Sequence, residues 1–334
     1  LLYLGENGFR SVDVYNGKIN FSGETATEFK LNKDETRIVA IDYNEGYLYA
    51  YDSKGEQTLN CELGTDMNYT LGELSPDGKQ VSMAANTENT FGILLIDLSS
   101  GQSSFLNMVG LCTNVRFIDD NRLCFLLSDE TEGLKHIVRY ELAEGKEGYL
   151  CNADWDLSAM TLTEEQTCYY YHGSKVYEVD CNDKKGKKIW EHTFASDVNS
   201  VRAGDGIVGI TCQDGSVFFY NEKTKQLINS QSGNGEPFYL LEVNAAYASL
   251  RDYWGKNIRV YKKNENEEKE AASLDISSVI KEIPDKWYTC STDGSKIVLG
   301  FQNGINKQIG VFDAGNLTNV SSKTLSELDY ESFG

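Results

Sequence analysis

The sequence predicts an all-β chain built from repeated four-stranded units, and three observations carry that expectation. A short phrase returns eight times: alternating apolar residues end in a bulky apolar residue and then a polar one, a turn follows, and a second alternating run begins. The junctions are Tyr15-Asn16, Tyr51-Asp52, Ile96-Asp97, Tyr140-Glu141, Val179-Asp180, Tyr220-Asn221, Tyr261-Lys262 and Phe312-Asp313. Their spacings are 36, 45, 44, 39, 41, 41 and 51 residues. Second, turn signals of the Asn, Asp and Gly type fall between the junctions at the same interval. Third, 30 glycines stand against 3 prolines in 334 residues, which suits strands joined by tight turns. A period of about 42 residues made of hairpins is the length of one blade of a β-propeller.

Each repeat divides into strands A to D, from innermost to outermost. The A–B turns fall at residues 32–34, 75–78, 119–121, 163–165, 203–206, 243–244 and 292–294. Most of their residues tolerate positive φ, as type I and I′ turns need. One unit of four short strands cannot bury both of its faces, so neighbouring blades must stack and the ring is one domain. From position 293 through the termini and round to position 33 is 74 residues, too long for one blade and slightly short for two. Residues 1–26 hold three strand-like runs, at 1–4, 9–15 and 18–21, that read as strands B, C and D without an A. Residues 328–333 follow a complete repeat and supply that A strand. The expectation is a single propeller domain over residues 1–334 with eight blades, the last shared between residues 1–26 and 326–334. Closure of this kind removes exposed sheet edges. Seven blades with an N-terminal extension is the alternative.

The B–C and D–A loops emerge together on one face, and several aromatics map to them: Tyr43, Tyr69, Phe91, Trp155, Tyr253, Trp254 and Trp287. Aromatic rings with carboxylates between them make recognition surfaces. The competing reading is that half or more of these rings plug blade junctions. Tyr253 and Trp254 stand out because they sit in the polar stretch 251–257, and Trp287 lies in the adjacent repeat. The longest D–A loop, residues 276–287, has apolar residues at helical spacing over 277–283, stopped by Pro284, which predicts a short helical turn. The mixed-charge run 262–270 reads as a solvated hairpin tip.

With 31 Lys and Arg against 51 Asp and Glu, the net charge is −20. Such a surface repels phosphate backbones and anionic lipid, so nucleic-acid and membrane-surface binding are disfavoured. There is no apolar run of about 20 residues, the length a spanning helix needs. The first four residues read as a strand rather than a leader, and the chain begins inside the repeat without an initiator Met. The expectation is a piece of a larger or anchored protein whose signal or anchor lies elsewhere. Eight cysteines occur with no CxxC pair. Several sit within apolar strand runs on different blades, so they read as buried free thiols in a reducing or anaerobic setting, without disulfide or metal.

The hairpin formed by residues 173–180, ending in Val179-Asp180 and followed by Gly186-Lys187-Lys188-Ile189-Trp190, resembles the repeat of quinoprotein-like (PQQ-type) propellers. In that repeat a strand ends at Asp, a Gly-Lys turn follows and a Trp docks between blades. Residues 14–21 and 51–56 look like weaker copies. Leu74-Ser75-Pro76-Asp77-Gly78-Lys79 is similar to a turn common in WD40-like propellers. The resemblance spans the chain as a pattern, with departures. WD40 repeats proper end strand C in Trp-Asp, whereas Trp155-Asp156 falls between blades here. Quinone-holding dehydrogenases carry a vicinal cysteine pair, which this chain lacks. The resemblance therefore implies a cofactor-free, eight-bladed quinoprotein-like ring of the kind used as scaffolds in cell-envelope assembly, in an uncharacterised bacterial chain.

The sequence holds few catalytic patterns. His136, His172 and His192 are far apart and lack metal-ligand spacing. No GxSxG elbow, phosphate loop or dinucleotide fingerprint is present. Residues 42–46 look like part of a calcium loop but lack the distal Glu, and read as a turn. Three glycosylation sequons carry no information in a bacterial chain. The leading expectation is a non-catalytic scaffold propeller binding an unknown protein or small ligand on its loop face, monomeric and without cofactor. Its expected compartment is the cell envelope or the extracytoplasmic space of an anaerobic bacterium. The alternative is an enzyme acting on carbohydrate or peptide through paired carboxylates at the channel mouth. A vestigial cofactor propeller is the third reading.

Overall fold

The computed structural model describes residues 2–5, 8–13, 18–32, 34–64, 66–129, 133–153, 160–243, 247–252, 257–262, 270–275, 288–290, 295–303, 306–313, 319–324 and 330–333. These residues form eight four-stranded antiparallel sheets. The first blade comprises β1 (Leu2–Gly5), β2 (Gly8–Val12) and β3 (Ile19–Ser22), with β32 (Tyr330–Phe333) as its innermost strand. The second is β4 (Glu28–Leu31), β5 (Arg37–Asp42), β6 (Tyr47–Asp52) and β7 (Gln57–Glu62). The third is β8 (Asn68–Leu74), β9 (Gln80–Asn86), β10 (Phe91–Asp97) and β11 (Ser103–Met108). The fourth is β12 (Leu111–Asp119), β13 (Arg122–Asp129), β14 (Leu134–Glu141) and β15 (Lys146–Ala153). The fifth is β16 (Met160–Leu162), β17 (Thr167–His172), β18 (Lys175–Asp180) and β19 (Lys188–Thr193). The sixth is β20 (Val198–Gly204), β21 (Ile207–Cys212), β22 (Val217–Asn221) and β23 (Leu227–Gln231). The seventh is β24 (Phe238–Val243), β25 (Tyr247–Asp252), β26 (Asn257–Lys262) and β27 (Glu270–Asp275). The eighth is β28 (Tyr288–Cys290), β29 (Lys296–Asn303), β30 (Asn306–Asp313) and β31 (Asn319–Thr324).

The expected closure is present. β1 pairs antiparallel with β32, with Tyr3 opposite Phe333 and Leu4 opposite Ser332, so the two ends of the chain complete one sheet. The helical turn expected at 277–283 lies outside the described residues. No helix of the described residues is long and apolar enough to cross a membrane.

The core sits between blades. The B strands β9 and β21 are buried almost throughout, because each is covered by a neighbouring blade on both faces. Their residues accordingly read as mostly apolar runs, interrupted by Ser82 in β9 and Thr211 in β21. The outer strands β7 and β19 alternate exposed and half-buried residues. One apolar cluster joins Ile41 and Leu48 of the second blade to Met83 and Ile96 of the third. Another joins Phe125 and Val138 of the fourth to Ile93 of the third.

The polar residue of the repeated phrase has a physical role. Asp52 Oδ1 accepts from the backbone N–H groups of Lys54 and Glu56, each at 2.9 Å. Asp97 Oδ1 accepts from the N–H groups of Ser99 and Ser100 at 2.9 and 2.8 Å. Asn221 Oδ1 does the same for Lys223 and Thr224 at 3.0 and 2.8 Å. The phrase marks where strand C stops because a short polar side chain there satisfies the donors of the turn. Residues 42–46 use the same device, with Asp42 Oδ1 accepting from Asn44 and Glu45.

Candidate functional site

Three of the seven expected loop-face aromatics, Tyr43, Tyr69 and Phe91, are among the described residues. Tyr43 opens the loop between β5 and β6. Its hydroxyl donates to Glu28 Oε2 at 2.6 Å and accepts from the backbone N–H of Leu71 at 2.8 Å. The ring thus ties its own blade to the third, and burial followed by the Glu28 hydrogen bond pushes the phenol far above its ordinary range. Tyr69 is used similarly, donating to the Leu63 carbonyl at 2.7 Å. Phe91 is the first residue of β10, half-buried and paired with Met108. Trp155, Tyr253, Trp254 and Trp287 lie outside the described residues.

Two residues not singled out from sequence join Phe91 on this face. Val109 and Leu111, in and beside the loop from β11 to β12, are 66 % and 37 % exposed. Between them Gly110 is buried, and a Cβ there would stand 2.0 Å from the Ser128 carbonyl oxygen. Backbone against backbone fixes this loop, so the two apolar side chains project from a supported ledge.

Among the described residues, charge is segregated between the two faces. The described B–C and D–A loops carry seven acids, Glu24, Glu45, Asp66, Glu88, Asp197, Asp214 and Glu236, all exposed. Among the described residues, those loops contain no Lys or Arg. The turns on the opposite face mix acids with Lys18, Lys54, Lys79, Lys184, Lys185, Lys187, Lys223 and Lys225.

A second polar feature lies between the innermost strands of the second, third and fourth blades. A recess of about 110 Å³ is lined by Lys30, Thr70, Leu71, Gly72, Glu73, Ala84, Asn114, Val115 and Arg116. Two β-bulges shape it. In β8 the register to β9 slips between Leu71 and Leu74, and in β12 the register to β13 slips between Thr113 and Arg116. Buried Ser82 clamps the first bulge, its Oγ accepting from Glu73 N–H at 3.2 Å and donating to the Glu73 carbonyl at 3.1 Å. The second carries Asn114 at φ 54°, a left-handed conformation uncommon outside glycine. Arg116 Nη1 lies 3.0 Å from Glu73 Oε1, and Lys30 Nζ lies 3.4 Å from Glu28 Oε1.

The remaining chemistry-bearing groups serve packing. His192 stacks on Trp190 at 5.6 Å and meets the Tyr220 hydroxyl at 3.3 Å. Trp190 also lies 5.4 Å from Tyr220 of the next blade, so it docks between the fifth and sixth blades. Cys124, Cys151, Cys168 and Cys181 gather in one apolar cluster between the fourth and fifth blades, with Cys124 Sγ 3.8 Å from Met160 Sδ. The Cys124 thiol is held far above its ordinary value by contact with Cys168 and by burial. That environment suppresses the thiolate and with it nucleophilic chemistry. Among the described residues, no group of three His, Cys, Asp or Glu side chains is arranged to hold a metal ion.

No protein-family model matches the chain, and no curated protein sequence matches it. Solved structures do. The C-terminal WD40 domain of Sif2 superposes with a TM-score of 0.65 at 15% identity, over 93% of this chain and 91% of that one. The computationally designed Ika8 protein gives 0.60 at 14% identity, over 88% and 85% of the two chains. Hsv2 of Kluyveromyces lactis gives 0.62 at 9% identity, over 88% and 97%. At such identities the likeness is one of architecture alone: the chain has the β-propeller fold.

Proposed function

We propose that this propeller is a non-catalytic binding scaffold that receives a basic protein segment on its B–C and D–A loop face. The observation that carries the reading is the segregation of charge: seven exposed acids and no described Lys or Arg in the loops of that face. Like charges gathered on one surface steer and select a partner of opposite sign. Phe91, Val109 and Leu111 supply an apolar anchor within this acidic field, and buried apolar contacts supply most of the affinity at such interfaces. Tyr253, Trp254, Trp287 and Trp155 extend the contact surface in the same reading. The turn glycine Gly186 and the interblade Trp190 favour a quinoprotein-like ring of the scaffold kind, acting as the outer part of a larger or anchored envelope protein.

The test is a titration of the protein with two labelled peptides, one alternating Lys and Leu, the other alternating Glu and Leu. The cationic peptide should bind alone, and its affinity should fall steeply from low to physiological salt. The double substitution Val109→Ser, Leu111→Ser should weaken it at least tenfold with an unchanged melting temperature. Equal binding of both peptides, or of neither, overturns the reading.

A further inference from the structure

We propose that the recess between the innermost strands of the second, third and fourth blades is a binding site for a small zwitterion, of the class of a free neutral α-amino acid. It lies on different residues from the loop-face surface, so the two readings stand or fall separately.

The recess presents both signs of charge. Arg116 and Lys30 offer cationic donors, Glu73 offers a carboxylate, and Thr70 and Asn114 add neutral polar groups. The Arg116 side chain is 28% exposed, and its contact with Glu73 joins one guanidinium nitrogen to one carboxylate oxygen. A guanidinium has five N–H donors in a planar fork and a carboxylate has two acceptor oxygens, so both retain capacity for a ligand. A zwitterion matches this arrangement: its carboxylate takes the guanidinium fork and the Lys30 ammonium, and its ammonium takes Glu73. A ligand of a single charge would satisfy one half and compete with the existing ion pair for the other.

Size and construction agree. A volume of about 110 Å³ holds roughly four waters or one solute of about six heavy atoms. The wall is shaped by two bulges side by side, a device that re-aims side chains next to functional sites. Gly72 permits it: a Cβ there would meet Ser82 Oγ at 2.6 Å and the Val115 carbonyl oxygen of the next blade at 3.0 Å. Asn114 holds a left-handed φ in the facing bulge, a departure that costs energy and that the surrounding strands maintain.

The experiment is an NMR titration of the isotopically labelled full chain with L-alanine, using acetate and methylamine as single-charge controls. L-alanine should give saturable amide shifts at Thr70, Gly72, Glu73 and Asn114 with millimolar affinity, and each control should bind at least tenfold more weakly. Arg116→Gln and Lys30→Gln should each weaken L-alanine at least fivefold, while Lys54→Gln, on a distant turn, should not. If Arg116→Gln does not fold, Lys30→Gln decides, because Lys30 is 43% exposed. Absence of saturable shifts, shifts confined to other residues, acetate binding as well as L-alanine, or indifference to Lys30→Gln each overturns the proposal.

Discussion

Replacing Lys225 by Met should be among the most damaging single changes in the described part of this chain. Lys225 lies in the turn between β22 and β23, and its ammonium reaches into the seam between the fifth and sixth blades. Nζ stands 2.5 Å from Glu178 Oε2 and donates to the Tyr169 hydroxyl at 2.6 Å and to the Glu222 carbonyl oxygen. Glu178 is 2% exposed and Glu222 5%. Without the ammonium, two carboxylates share a buried seam with no described cation as close as Lys225. Removing one partner of a buried ion pair costs about 3–5 kcal/mol, because it strands the other charge. With an unfolding entropy of about 2.1 cal/mol/K per residue over 334 residues, that is a fall in melting temperature of about 4–7 °C.

Calorimetry or urea denaturation at pH 7 checks the size, and repeating it at lower pH checks the cause. Burial raises the Glu222 carboxyl above its ordinary value of 4.5, with Thr163 and Lys225 opposing and Glu178 and Glu165 adding to the rise. A carboxyl with a higher pKa folded than unfolded holds more protons in the folded state between the two values. Stability therefore falls as pH rises through that interval. Lys225→Met should steepen this dependence, and adding Glu178→Gln should recover much of the loss. A cost below about 1 kcal/mol at pH 7, the size of an exposed pair, would show that water screens the seam and would refute the reasoning.

Gly186→Ala should destabilise by about 3 kcal/mol or more by denaturant titration, since Gly186 has φ +65° and its Cβ would stand 1.8 Å from the Leu150 carbonyl oxygen. Asp97 should titrate at about 2 by NMR, because the Ser99 hydroxyl and then the Ser100 N–H stabilise its carboxylate. Its folded value is depressed below 3.8, so this support is complete above that pH and is lost as pH falls toward 2. Thiol titration of the native protein should find buried Cys124 and Cys168 unreactive and half-buried Cys61 among the first to react, with eight thiols released on denaturation. Melting temperature should rise with monovalent salt over the first tenth molar or so, as screening relieves the acidic loop face; a fall would mean that exposed ion pairs dominate instead.

The strands and their closure were legible because each depends on local pattern. β9 and β21 are buried on both faces and read as apolar runs; β7 and β19 have one open face and alternate. The shared first blade followed from counting residues across the termini. The strand order also put Tyr43 and Phe91 at the B–C loop end of their blades, where the structure has them. What it could not give was the use of the Tyr43 hydroxyl, which depends on Leu71 in the next blade. The thiol cluster was partly readable: Cys124, Cys168 and Cys212 are each 44 residues apart, the same strand in successive blades. Only Cys124 and Cys168 enter one cluster, since Cys212 packs one seam further on. The recess was not readable, because it rests on one extra residue in each of β8 and β12, and a bulge leaves no fixed signature in an alternating strand.

The acidic loops were not legible in the sequence: a net charge of −20 averages over both faces, and the loop bounds read from sequence took in Lys135, which the structure places inside β14. The asymmetry is also what distinguishes a recognition surface from simple solubility. Solubility needs only charge, and mixing signs across the surface supplies it at lower electrostatic cost. Seven acids on loops that converge on one face repel one another without a described Lys or Arg among those loops, and that repulsion weakens the folded state. Among the described residues, lysines are plentiful on the opposite turns and absent from these loops. A ring held together by apolar seams between blades tolerates the repulsion, because most of its buried apolar contacts lie in the strands. A cationic partner settling on Phe91, Val109 and Leu111 would relieve it, converting self-repulsion in the free protein into affinity in the complex.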